Sequence, residues 1–321
     1  MELLRVDDLV KTFPAPRSRG RVWAVNGVSF TVGEGKTLGL VGESGSGKTT
    51  VGRCILGLLR PTSGTVTFEG RDLADFRGRQ RSLRAKVQIV FQEPYDALDP
   101  RRPVGEAVKE PLRLLRHLSE LDRVRRVVEV ATSLGVDPDD LARYPHELSS
   151  GLLQRIGIAR AMVTEPRLIV LDEPTSLLDA TARAEIIELL MQLQRSTGVA
   201  YVFISHDLTA VRHISHEVAV MYLGQIVERG SADRIFSGPL HPYSGSLLSA
   251  VLTPDPHAAR SPLVLRGEIP SPINLPSGCF LHSRCPIAID ECSHVAPRLV
   301  ETAAAHEVRC IRVAPSERSA S

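Results

Sequence analysis

No stretch of this sequence approaches the eighteen or more apolar residues that a membrane-crossing helix requires. The N-terminus, Met1-Glu2-Leu3-Leu4-Arg5-Val6-Asp7-Asp8, carries acids where a secretory signal needs an apolar run, so the expected location is the cytoplasm. Charge of one sign is also missing. The 39 basic and 37 acidic residues leave a net charge of only +2, too balanced for the broad basic field of a nucleic-acid binder. Arg123, Arg125 and Arg126 read instead as a solvated helix face. Cysteine is scarce until the tail: Cys54 stands alone and reads as a buried small apolar residue. The other four, Cys279, Cys285, Cys292 and Cys310, crowd near the C-terminus. In a reducing compartment such crowding favours metal binding over disulfides.

What is present alternates strand with helix. Leu3–Lys11 and Val22–Thr31 predict strands, with turn signals at Pro14, Pro16 and Gly20 between them. Thr37–Val41 predicts a strand entering a glycine-rich turn, followed by a helix from Lys48 to about Leu59. Further strands are expected at Thr65–Glu69, Lys86–Phe91, Leu168–Leu171 and Val199–Ser205, and helices at about Leu152–Val163 and Ala182–Gln194. From Val104 to Ala142 the apolar spacing (Leu112, Leu115, Leu118, then Val124, Val127, Val128, Ala131) predicts an inserted helical subdomain. The alternation argues for a parallel sheet covered on both faces. After about Gly230 prolines and histidines accumulate and periodicity fades, which places a boundary between residues 230 and 255.

Gly42-Glu43-Ser44-Gly45-Ser46-Gly47-Lys48-Thr49 fits G-x-x-x-x-G-K-[ST] between a strand and a helix, the context that confirms a phosphate loop. Its glycines let backbone N–H groups turn around phosphate oxygens, and the helix N-terminus favours their charge. Lys48 would reach the β- and γ-phosphates and the Thr49 hydroxyl would ligate magnesium, with Thr50 beside them. The run Leu168-Ile-Val-Leu-Asp172-Glu173 ends a buried strand in two carboxylates, which places both at the sheet's C-terminal edge. Asp172 is expected to hold magnesium and Glu173 to polarise the attacking water.

Leu148-Ser149-Ser150-Gly151-Leu152-Leu-Gln-Arg155 opens a helix just upstream of that pair, and here the chain resembles the nucleotide-binding subunits of ABC transporters. The resemblance implies a P-loop ATPase core with a mostly parallel sheet, an N-terminal antiparallel β subdomain, an inserted helical subdomain at about 96–160 and a small C-terminal extension. It also implies Gln92 as the glutamine that contacts magnesium and senses the membrane partner. Asp179 is matched to the D-loop, His206 to the switch histidine at the γ-phosphate, and Phe13 to the aromatic that stacks on adenine, with Trp23 a weaker candidate. In this family ATP is clamped between two chains, so the Ser149–Leu152 signature would serve a partner's nucleotide. Two departures stand out: Ser150 replaces the usual second glycine and Leu152 the usual glutamine. They predict the weaker of two unequal sites in a heterodimer.

Phe91-Gln-Glu-Pro-Tyr-Asp-Ala-Leu-Asp-Pro-Arg101 and Pro239-Leu-His-Pro-Tyr-Ser-Gly-Ser-Leu-Leu248 resemble the oligopeptide/dipeptide importer ATPases. That resemblance implies an ATP-hydrolysing subunit on the cytoplasmic face of the membrane. Its expected partners are a second, non-identical ATPase, two permeases and an extracytoplasmic solute-binding protein, with no nucleic acid. The expected division is a nucleotide-binding domain over 1–235 and an extension over 236–321. The four tail cysteines lack tight C-x-x-C knuckles. Their long gaps, with the tails of related subunits, favour a [4Fe–4S] cluster over zinc, and unmetallated thiols stay a third reading. His282, His294 and His306 read as solvated loop residues. Two other classes compete. A soluble ABC ATPase acting on nucleic acid or ribosomes usually carries tandem units or basic arms, and a small-molecule kinase would lack the signature.

Overall fold

The computed structural model describes residues 1–15, 20–73, 81–93, 95, 97–249, 264–302 and 306–313. Pro16, Pro94, Asp96 and the last part of the expected boundary region, 250–255, lie outside the described residues. Strands β1 (Glu2–Pro14) and β2 (Arg21–Gly33) pair antiparallel. Strand β3 (Thr37–Val41) leads through the glycine-rich turn into α1 (Lys48–Ile55). That helix is shorter than the sequence suggests, because Gly57 at φ 64 turns the chain out of it. Strands β4 (Ser63–Phe68) and β5 (Arg71–Asp72) complete a four-stranded antiparallel sheet of order β2-β1-β4-β5. Helix α2 (Arg81–Lys86) then feeds β6 (Val87–Val90).

The expected inserted helices follow as α3 (Val104–Leu115), α4 (Glu120–Ser133) and, after two short 3₁₀ turns, α5 (Ser150–Met162). Val104, Val108 and Leu112 on α3 and Val127, Val130 and Ala131 on α4 are buried, as the three- and four-residue spacing requires. Ser119 caps α4 by accepting the Asp122 N–H. Of the α4 arginines only Arg125 faces solvent, near Asp122; Arg123 and Arg126 are half-buried, paired with Glu120 and with Glu129 and Glu165, so the expected solvated face holds only in part.

The core resumes with β7 (Leu168–Asp172), α6 (Ala180–Thr197), β8 (Ala200–Ile204), α7 (Leu208–Ile214), β9 (Glu217–Tyr222) and β10 (Gln225–Ser231). Helices α8 (Ala232–Ser237) and α9 (Pro242–Ser249) precede two short strands, β11 (Val300–Thr302) and β12 (His306–Val308). The main sheet has the order β11-β12-β10-β9-β3-β8-β7-β6. Its β9-β3-β8-β7-β6 portion is parallel, and the β9 side continues antiparallel. Every residue of β3, β7 and β8 is buried, which is why those strands read as unbroken apolar runs rather than alternating ones. The last described strands do not form a layer of their own. They extend the core sheet, β12 pairing with β10 at Glu228 and Arg229.

One expectation is overturned in this region. His306 is no solvated loop residue: it is buried on β12, with Nε2 2.7 Å from Glu228 Oε1. Glu228 is fully buried, and its carboxylate also accepts the backbone N–H groups of Leu240 and His241.

Candidate functional site

Four neighbouring parallel strands, β3, β8, β7 and β6, end on the same edge of the sheet. Just past those ends lie the phosphate loop, His206, the Asp172–Glu173 pair and Gln92, in that spatial order. The carboxyl edge of a parallel sheet is where α/β proteins gather their ligand groups. Strand order, rather than nearness in sequence, therefore brings these residues together.

Two of the loop's three glycines are needed for clearance. At Gly42 (φ 149) an added Cβ would stand 2.2 Å from the Met221 carbonyl oxygen, and at Gly47 (φ 104) 2.2 Å from that of Ala24. Ser46 is buried, whereas Ser44 and Gly45 face solvent. Lys48 Nζ donates to the carbonyls of Gly42 at 2.8 Å and Glu43 at 2.9 Å and to Ser46 Oγ at 3.3 Å. Burial lowers the Lys48 ammonium from its ordinary value, opposed by the charges of Glu173, Asp172 and Glu43. The Thr49 hydroxyl donates to Asp172 Oδ1 at 3.0 Å, joining the two magnesium-ligand candidates. Burial raises the Asp172 carboxyl, and the Thr49 hydrogen bond partly offsets that. A cation on these oxygens would favour the ionised form.

Glu173 adopts φ 50, a left-handed conformation that costs a non-glycine residue energy and is concentrated at functional sites. Its N–H donates to the Ile204 carbonyl, and its Oε2 lies 2.6 Å from His206 Nδ1. Glu173, expected to polarise the attacking water, and His206, expected at the γ-phosphate, are thus in contact, with His206 the more exposed member. Gln92 is exposed beyond β6. Phe13 is half-buried at the end of β1 with Lys11 Nζ 5.0 Å from its ring centroid, and Trp23 is exposed on β2 beside the Ala24 that Gly47 touches.

The signature stands apart from this edge. Among the described residues no hydrogen bond or ion pair joins Ser149–Leu152 to the phosphate loop, and α5 packs on α3, α4, β6 and α6. Ser149 caps α5 by accepting the Leu152 N–H. Neither Ser150 nor Gly151 has positive φ, so serine replaces glycine there without backbone strain. Leu152 leans on the apolar core that runs from the helical subdomain to one face of the main sheet. Asp179 caps α6, accepting from Thr181 and Ala182.

The four tail cysteines line one small pocket together with His241 and His282. Among the described residues, no three His, Cys, Asp or Glu side chains are grouped so as to hold a metal ion. Cys54 is buried on α1, as expected, and burial pushes its thiol up to about 11.

His241 is buried, its Nδ1 accepts the Tyr243 N–H, and burial pushes its imidazole down to about 4 from an ordinary 6.5. The unfolded chain therefore takes up a proton that the folded chain refuses. Stability from this group is full above pH 6.5 and drains away as pH falls toward 4, by on the order of 3 kcal/mol. Thermal melts from pH 7.5 down to 4.5 should show this slope, and His241→Gln should flatten it; an unchanged slope in the variant would refute the assignment.

Comparison with known proteins agrees with the geometry. The ABC transporter family profile matches residues 25–176, and that of the oligopeptide/dipeptide transporter C-terminal region matches 227–292. The oligopeptide transport ATP-binding protein OppF of Salmonella typhimurium is 45% identical over 98% of this chain and 97% of its own length. OppF of Escherichia coli is 44% identical over the same shares. Among solved structures, the dimeric bacterial ABC transporter cassette MJ0796 superposes with a TM-score of 0.66 at 26% identity, over 72% of this chain and 99% of that one. The phosphate loop, the paired carboxylates and the tail are therefore parts of one inherited design, and the chain belongs to the ATP-hydrolysing subunits of ABC transporters, in the oligopeptide/dipeptide transporter family.

Proposed function

We propose that this chain hydrolyses ATP to drive an importer of peptides or related small solutes. It would work from the cytoplasmic face of the membrane beneath two permeases fed by an extracytoplasmic binding protein. The observation that carries this reading is a likeness to oligopeptide transport ATPases that runs unbroken through both the site and the tail. Residues 1–235 would form the nucleotide-binding domain and 236–321 the extension. The soluble nucleic-acid or ribosome reading has no counterpart in these relatives, which are named as oligopeptide transport proteins.

In this reading the backbone of Gly42–Thr49 cradles the triphosphate, with Thr50 beside it and Phe13 at the base. Lys48 leaves the loop carbonyls for the phosphates. Magnesium on Thr49, Asp172 and Gln92 would neutralise phosphate charge when bound. Glu173 takes the proton of the attacking water while His206 holds its carboxylate and reaches the γ-phosphate.

The second ATPase subunit is read as non-identical. Leu152 brings no polar side-chain atom to the signature, so the site that signature completes would be the weaker one, whereas this chain's own loop, Glu173 and His206 are intact. ATPase assays of the lone chain and of the chain mixed with its companion subunit test this. Turnover in the mixture should exceed the sum of the parts by about tenfold or more, as coupled catalytic groups do. Full turnover by a strictly monomeric chain would sink the proposal.

The tail cysteines are read as ligands of a [4Fe–4S] cluster. Four thiolates on one zinc ion, each at about 2.3 Å, must nearly touch. The four thiols line one common pocket, and a cluster of four irons would take one cysteine on each iron. Burial raises the Cys279 thiol to about 11 and also raises Cys285 and Cys310, so a metal would be needed to draw off their protons. Anaerobically purified protein should carry iron and visible charge-transfer absorbance; protein with neither removes the cluster.

A further inference from the structure

The phosphate loop is held from outside its own strand–turn–helix unit. Tyr243 of α9 is fully buried, and its hydroxyl accepts the Glu43 backbone N–H at 2.8 Å. A second stretch of the extension reaches the same residue. Arg284 Nη1 stands 3.4 Å from Glu43 Oε2 and 3.4 Å from the Tyr222 hydroxyl, and the guanidinium lies 5.8 Å from the Tyr222 ring centroid. The Tyr222 and Tyr243 rings pack tilted with centroids 4.7 Å apart. Tyr222, Tyr243 and Arg284 thus form one block beside the loop, and both the backbone donor and the carboxylate of Glu43 are committed to it. Arg284 directly precedes Cys285, so the loop and the four-cysteine pocket share a support.

The Glu43 carbonyl has two further ties, to the Ser46 N–H at 3.2 Å within the loop and to Lys48 Nζ at 2.9 Å. The Lys48 tie matters most here. That tie is temporary if Lys48 must move to the phosphates. Once it lets go, the Ser46 N–H still holds Glu43 from within the loop, and among the described residues the extension is what holds Glu43 from outside it. A loop free to wander at that point would have to be re-ordered each time nucleotide bound, and ordering costs affinity. We propose that Tyr243 and Arg284 are positioning residues that hold Glu43, and with it the phosphate loop, in the shape that receives ATP. This makes the extension part of the nucleotide site rather than an appendage. It rests on the assignment of Gly42–Thr49 as the phosphate cradle, not on which solute is imported.

The test titrates the purified full-length chain with a fluorescent ATP analogue and melts each variant in parallel. Tyr243→Phe keeps the ring on Tyr222 and removes only the hydroxyl. It should weaken binding about two- to tenfold, the worth of one net hydrogen bond, while the nucleotide-free melt stays close to wild type. Arg284→Gln should weaken binding in wild-type background but have no further effect on Glu43→Ala, because the Glu43 carboxylate through which it acts is gone and its remaining contact, with Tyr222, does not reach Glu43. Tyr243→Phe should still weaken binding in Glu43→Ala, which retains the backbone N–H. Arg284→Lys should restore part of the loss. Wild-type affinity in Tyr243→Phe, or an Arg284→Gln effect of equal size with and without the Glu43 carboxylate, overturns the proposal. Should the wild-type chain bind no analogue at all, the cradle assignment falls first and the proposal with it.

Discussion

Glu173→Gln is expected to slow ATP turnover by about 10²–10⁴-fold, the usual worth of a positioned general base, while nucleotide still binds. The substitution keeps the size of the side chain and its ability to accept a hydrogen bond. It removes the one property that proton transfer needs. The Glu173 carboxylate is placed by three independent constraints: the end of the wholly buried strand β7, the φ 50 backbone, and the 2.6 Å contact with His206. Binding draws on other groups, namely the loop backbone, Lys48 and Thr49; the change removes a charge that acts on Lys48 but no hydrogen bond to any of them. Steady-state turnover of the paired subunits, with analogue binding measured alongside, separates the two effects. Turnover within tenfold of wild type would mean that the water is activated elsewhere. A matching loss of binding would mean that Glu173 shapes the site rather than acting in it. His206→Ala should produce a smaller loss in the same direction, since it removes the partner but leaves the base.

Much of this edge was legible because its logic is local. An apolar run, four glycines or serines and Gly-Lys-Thr specify strand, turn and helix within a few residues, and the run into Asp172–Glu173 announces a buried strand. Boundaries were read less well where one backbone torsion decides them. Gly57 ends α1 early, and α5 begins at Ser150 because the Ser149 side chain captures the Leu152 N–H. Leu118 belonged to the apolar spacing but lies exposed in the link between α3 and α4. What the sequence hid is long in range. Tyr243 meets Glu43 across 200 residues of chain, Arg284 meets it across 241, and His306 meets Glu228 across 78. Contacts of that span leave no periodicity. Strands of three residues, like β11 and β12, are also too short for alternation to show. The His-Pro-Tyr stretch was readable as a family mark, but its use as a brace for the phosphate loop was not.

The hidden contact with the largest expected effect on stability is the buried carboxylate of Glu228. A carboxylate taken out of water is costly unless its oxygens are fully occupied. Here Leu240 N–H at 2.7 Å, His241 N–H at 3.0 Å and His306 Nε2 at 2.7 Å occupy it, tying β10, the start of the extension and β12 to a single point. Glu228→Ala strips the acceptor from all three and leaves the His241 N–H and His306 Nε2 without it in the interior. The expected loss is about 3–5 kcal/mol, the usual result of breaking one side of a buried charged contact. In a chain of this size that should lower the melting temperature by on the order of 10 °C. Glu228→Gln should fall between, because its amide nitrogen would face donors where an acceptor is needed. His306→Ala should cost less than Glu228→Ala, since the carboxylate would keep its two backbone partners. That ranking is the sharper test. If the extension were held mainly by apolar packing, the three variants would melt within about 2 °C of one another, less than 1 kcal/mol apart. Tyr243 would then owe its place beside the phosphate loop to its ring contacts and its own hydrogen bonds to Glu43 and His241 rather than to Glu228. If the carboxylate is the tie, Glu228→Ala should also weaken ATP binding, through Tyr243 and Arg284, at temperatures where the rest of the chain is still folded.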